Sequence, residues 1–167
     1  VERVLLKSGY ITLLAHTAED CQIQDTVISS MRENNVAGII ICPAFNSSPD
    51  FVTQVMQTGL PMVVVIRKQG NHDYDYVGSD NYSGMYEATR YLLHKGHHHI
   101  AYIGRLGEDQ SSKDRVNGYF AALEEAGIQP SKEWLISVPS SLEGGKEGIN
   151  KLLSFSPLPS AVVCYND

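Results

Sequence analysis

The sequence predicts an α/β fold in which mostly parallel sheets are flanked by helices, and three observations carry that expectation. Short apolar, β-branched runs alternate with amphipathic helical stretches along all 167 residues, the pattern of parallel strands joined by crossover helices. Capping residues and glycines punctuate the pattern where helices should start and stop. The hydrophobic content of 43% over this length is enough to bury a sizeable core.

Strands are expected over residues 11–15, 37–42, 62–66, 100–103, 134–138 and 161–165. Helices are expected over 25–34, 50–58, 82–95, 113–126 and 143–155. Asp80 or Asn81 can cap the helix that Gly96 ends, and Ser111 or Ser112 the helix that Gly127 ends. Residues 1–7 carry apolar positions at Val1, Val4 and Leu5 before Gly9, so they read as the last two turns of a helix. A crossover helix needs a strand before it, so the first strand of this lobe is expected to lie outside these residues. The C-terminal part of the second lobe is expected to be missing too, because Tyr165 and Asn166 stop where a strand runs out and Asp167 is placed to cap a further helix. Residues 69–80, rich in Gly, Asn, Asp and Tyr, divide the chain into a lobe over 1–75 and a second over 76–167.

Composition excludes several functions. A net charge of -6 with scattered Lys and Arg argues against this segment wrapping nucleic acid, since phosphate neutralisation needs clustered cations. Cys21, Cys42 and Cys164 are odd in number and widely spaced, which fits free thiols in a reducing cytoplasm better than a disulfide framework or a zinc site. No apolar run approaches the roughly 20 residues of a membrane span.

In open parallel sheets a ligand lies beyond the carboxyl ends of the strands. That rule selects His16 and Thr17, Pro43 and Ala44, Arg67, residues 104–112, residues 139–141 and Asn166. Arg115 falls in the first turn of the expected helix 113–126, where a guanidinium beside free amides could grip two neighbouring hydroxyls or a carboxylate. The alternative is a surface arginine paired with Asp114 or Glu108. Arg67 ends a strand beside the crossing segment, where it could meet ligand or brace the lobes. Asn166 offers a donor and an acceptor to a hydroxyl ligand, or is an ordinary turn asparagine.

Catalytic and metal signatures fail on inspection. His97, His98 and His99 are consecutive, so they point in different directions, and no acidic or cysteine partner stands at ligand spacing. Gly104 to Gly107 completes neither a dinucleotide nor a P-loop pattern. Ser111 and Ser112 lack a nucleophile elbow, and nothing assembles nucleophile, base and orienting acid. No enzyme activity, cofactor or metal is expected.

Longer stretches carry a family resemblance. Val77-Gly-Ser-Asp-Asn-Tyr-Ser-Gly84, Lys95-Gly-His-His-His-Ile-Ala-Tyr-Ile-Gly104 and Arg115-Val-Asn-Gly-Tyr-Phe-Ala-Ala-Leu-Glu-Glu-Ala-Gly-Ile128 resemble successive segments of LacI/GalR-family transcriptional repressors. Ser160-Ala-Val-Val-Cys-Tyr-Asn-Asp167 fits a further strand, and its run looks closest to the maltose-regulon repressor subgroup. The resemblance implies a two-lobed, periplasmic-binding-protein-like fold with a small sugar-like effector between the lobes. It implies a homodimer that reaches operator DNA through an N-terminal helix-turn-helix not present in this chain, with no membrane partner. It places Arg115 on the effector, and Ser111, Ser140, Arg67 and Asn166 on or near the pocket. Effector contacts from the loop after the family's first strand, and an aspartate near the end of the second lobe, have no counterpart here. Two other readings compete: a periplasmic sugar-binding protein of a transporter, and an α/β enzyme acting on a sugar or using a nucleotide, which would need catalytic residues outside the chain. Effector identity, the sense of the response and the operator are not readable.

Overall fold

Helix and strand boundaries follow from the caps and from which runs find a partner. In a computed structural model the described residues are 1–70, 73–107 and 109–166. Two units emerge, one of Val1–Val64 with Gln69–Asp75, the other of Val65–Lys68 with Tyr76–Asp167. Asn71, His72, Glu108 and Asp167 lie outside the described residues, and with them two expectations, the pairing of Glu108 with Arg115 and the capping role of Asp167.

The first unit holds α1 (Glu2–Lys7), α2 (Cys21–Glu33), β1 (Ile39–Ile41), α3 (Phe51–Met56) and most of β2 (Met62–Val65). Gly9, at φ +81°, closes α1: its N–H reaches the Leu6 carbonyl and that of Tyr10 reaches Leu5. That pair of bonds needs a left-handed residue, which glycine supplies without a Cβ clash. α2 starts four residues earlier than the periodicity suggests because Asp20 accepts the N–H groups of Gln22 (2.7 Å) and Ile23 (3.0 Å). β1 and β2 pair in parallel, with Ile39 opposite Met62 and Ile41 opposite Val64, and all four side chains are buried.

The strand expected over 11–15 does not form. This segment is irregular, with Ile11 85% and Leu14 96% exposed. Its composition suits a strand, but strand preference is largely the preference of a side chain for packed neighbours, and no ladder reaches its backbone among the described residues.

The second unit contains β3 (Tyr76–Val77), α4 (Asn81–His94), β4 (Ile100–Gly104), α5 (Gln110–Glu125), β5 (Leu135–Ser137), α6 (Leu142–Leu152) and β6 (Ala161–Cys164). β4, β5 and β6 form a parallel sheet in the order β5-β4-β6. Every residue of β4 is buried, as a central parallel strand covered on both faces requires. Ile100 and Tyr102 point into one cluster with Met85, Tyr119, Leu123 and Val163. Ala101 and Ile103 point into another with Ile136, Val138 and Leu152. Tyr119 lies wholly inside, donates its hydroxyl to the Ile100 carbonyl (2.8 Å), and burial pushes its phenol up to about 12.

Other boundaries differ from expectation too: β1 is shorter than the run 37–42, α3 ends at Met56 rather than at 58, and α6 ends at Leu152 rather than at 155. The helix expected at Lys113 begins at Gln110 because Asp109, not Ser111 or Ser112, is the cap, accepting the Ser112 N–H at 3.0 Å. A carboxylate is the stronger acceptor, and both serines lie inside the first turn. β5 begins one residue late because Trp134 belongs to a 3-10 turn over Lys132–Trp134, its ring 5.0 Å from that of His99. β3, two residues long, has no sequence signature; Val77 accepts a hydrogen bond from Ile66 (2.8 Å) just past β2.

Candidate ligand groove

The parallel order places the loops after β4, β5 and β6 at one end of the sheet. There the second unit has a groove of about 620 Å³ between α4, α5 and β6. One end is polar, with Asp80 and Asn81 at the start of α4, Arg115 on α5, and Asn166 after β6. The other is apolar, lined by Met85, Ala88, Leu92 and Val163 among others. Concave surfaces with a few convergent polar groups over an apolar wall are where small ligands bind.

Each polar group is set by local structure. Asp80 caps α4 by accepting the Ser83 N–H (2.9 Å), a bond that favours the ionised carboxyl and holds it below its usual range. Because α5 starts at Gln110, Arg115 sits in the second turn rather than the first, and the helix terminus acts on Ser111 and Ser112 instead. Arg115 does not pair with Asp114, which accepts from Gln110 Nε2 (2.7 Å). Its guanidinium carbon lies 4.3 Å from the centroid of the Tyr165 ring, a cation–π contact.

Only part of the expected set gathers here. Arg115 and Asn166 share the polar end of the groove. Ser111, one turn earlier on α5, is 4% exposed and turned away: its Oγ donates to the Ile66 carbonyl (3.1 Å). That carbonyl also accepts the Tyr76 hydroxyl (3.0 Å), and Ile66 itself holds φ +64°. A β-branched residue in the left-handed region costs of order 1–3 kcal/mol and persists only when its surroundings hold it. Arg67, the next residue, is 7% exposed. Ser140 is half-buried beside Ser141, the α6 cap, on the opposite flank of β4 from β6. Of the strand-end candidates in the first unit, Ala44 is buried and its N–H is taken by the Gln24 side chain (2.7 Å). Sequence reasoning missed Tyr165, Asp80 and Asn81 as groove residues. Asp80 and Asn81 were legible only as caps, and Tyr165 as the end of a strand.

Among the described residues no group of three His, Cys, Asp or Glu side chains could hold a metal, and no helix is long and apolar enough to cross a membrane. Among the described residues Cys21, Cys42 and Cys164 form no disulfide, and burial pushes the thiol of Cys164 up.

With this geometry the family can be assigned. The model for periplasmic binding proteins and the sugar-binding domain of the LacI family matches residues 1–167. The chain belongs to the LacI family. It is 30% identical over 159 residues to the maltose regulon regulatory protein MalI of Escherichia coli K12, covering 95% of this chain and 46% of that protein. It is 29% identical over 167 residues to the HTH-type transcriptional repressor PurR of Pasteurella multocida, covering 100% of this chain and 50% of that one. The solved structure of the transcription regulator CcpA of Lactococcus lactis superposes with a TM-score of 0.84 at 26% identity, covering 97% of this chain and 59% of that one. The chain spans about half the length of the curated relatives it matches. Its parallel sheets and helices are those of the periplasmic-binding-protein-like effector domains of LacI-family regulators.

Proposed function

We propose that this chain is the effector-sensing and dimerising core of a cytoplasmic transcriptional repressor that is not an enzyme. Its effector is a small sugar or sugar derivative, and its DNA contact is a helix-turn-helix elsewhere in the protein. The residue ranges 1–75 and 76–167 serve as the two lobes of this sensor. One observation carries the reading: Arg115 and Asn166 converge on the polar end of a groove at the carboxyl ends of parallel strands. A guanidinium presents paired donors and an amide presents both a donor and an acceptor, the complement of adjacent hydroxyls. Ser111 and Ser140 stand at the same end of the sheet, Ser111 bracing Ile66. Arg67 adds its charge beside that braced turn.

Control follows from differential affinity. A ligand bound more tightly by one conformation of the full protein shifts the population toward it, and only one conformation holds the DNA heads at operator spacing. A ligand indifferent to the two states changes nothing.

A thermal-shift screen of the full-length protein against mono- and disaccharides, sugar phosphates and nucleobases tests this. A true effector at 100 times its dissociation constant adds about 2.7 kcal/mol of stability. The same compound changes the salt-matched affinity of the protein for its operator. Stabilisation by none of these classes, with operator binding indifferent to all, would overturn the reading.

A further inference from the structure

Tyr165 has no assigned role, yet it is the described side chain that touches the Arg115 guanidinium. The residue is held at its backbone, at its Cβ and at its hydroxyl. Its backbone N–H continues the sheet, donating to the Ile103 carbonyl (2.9 Å). Its Cβ presses on β4 where only glycine fits: a Cβ on Gly104 would stand 2.2 Å from it. Its hydroxyl lies 3.5 Å from Ser112 Oγ. Ser112 spends its own proton on Asp109 Oδ2 (2.7 Å), so at that long contact the tyrosine is the donor. Asp109 in turn caps α5, the helix that carries Arg115. Platform and guanidinium are therefore referenced to the same helix start.

We propose that Tyr165 is the positioning residue for Arg115, its ring carrying the guanidinium at the polar end of the groove while leaving the N–H donors for a ligand. An arginine side chain loses substantial rotamer freedom when a ligand orders it, and a ring that already restrains it removes part of that cost before binding. The consequence for affinity rests on the reading of Arg115 as the effector contact; the placement of the guanidinium does not.

The test uses the full-length protein with Tyr165→Phe, which keeps the ring, and Tyr165→Leu, which removes it. Modification of Arg115 by phenylglyoxal, followed by peptide mass mapping, reads the hold of the ring without any ligand. Tyr165→Phe should react at the wild-type rate, and Tyr165→Leu at least about threefold faster, the size expected when a partly exposed cation–π contact is lost. Calorimetry with D-ribose, D-glucose and maltose supplies the second arm. Any of these that binds the wild type should bind Tyr165→Leu at least about threefold more weakly, with affinity restored in Tyr165→Phe. Equal modification rates in wild type and Tyr165→Leu overturn the proposal, as does a sugar bound equally by both. Faster modification in Tyr165→Leu with no sugar bound by the wild type sustains the role of Tyr165 and counts against the sensing reading.

Discussion

Residues 11–15 and β4 are similar as sequence, short and apolar with β-branched members, and opposite as structure. β4 lies between two parallel neighbours with a cluster on each face, and Ile100 is 1% exposed. Among the described residues, 11–15 have neither ladder nor cover. What separates them is not local preference but neighbours: a strand is the joint property of a run and the two edges beside it.

Truncating one side chain in each region should separate the two most. Ile100→Ala should cost about 2–5 kcal/mol in urea unfolding, the price of a buried cavity, whereas Leu14→Ala in the same chain should shift stability by less than about 0.5 kcal/mol. Equal effects would mean that residues 11–15 are packed in solution. The closeness of α4 and α5 beside β4 gives the next effect. A Cβ on Gly118 would sit 2.3 Å from the Tyr82 carbonyl oxygen, so Gly118→Ala should destabilise by about 1–3 kcal/mol. Gly145 in α6 has nothing within 4 Å, so Gly145→Ala should stabilise by about 0.5–1 kcal/mol. A smaller loss, about 1 kcal/mol, is expected for Asp109→Ala, read by the same unfolding measurement. The smallest effect is a matter of pH. The Asp80 carboxyl is held below its unfolded value by the Ser83 N–H, so its contribution is present above the usual carboxylate range and lost as pH falls through the folded value. Asp80→Asn keeps a capping oxygen and should flatten that part of the acid limb in pH-dependent unfolding.

The sheet of the second unit was legible because its runs and their neighbours both lie in the chain. Strands at 100–103 and 161–165 match β4 and β6 to within a residue, and the glycines at 96 and 127 end their helices as expected. Legibility failed where partners decide the outcome. Residues 11–15 needed a ladder that periodicity does not report, and β3 is too short to carry a pattern. The start of α5 was misplaced because Ser111, Ser112 and Asp109 are all competent caps, and which one accepts depends on where the β4 loop delivers the chain. The site was half legible for the same reason. The strand-end rule pointed to Asn166 from chain direction alone, and the helix pattern pointed to Arg115 while placing it a turn too near the helix start. The inward turn of Ser111 depends on a carbonyl 45 residues away, and the ring under Arg115 on Tyr165, just past β6. Neither contact is encoded in spacing.

Whether Arg115 senses a small effector is decided by calorimetric titration of full-length wild type and Arg115→Ala with the compound that gives the largest thermal shift. Binding should be at least tenfold weaker in the variant, about 1.4 kcal/mol, with the unfolding transition in the absence of ligand remaining cooperative. Equal affinity in the two proteins would contradict that role.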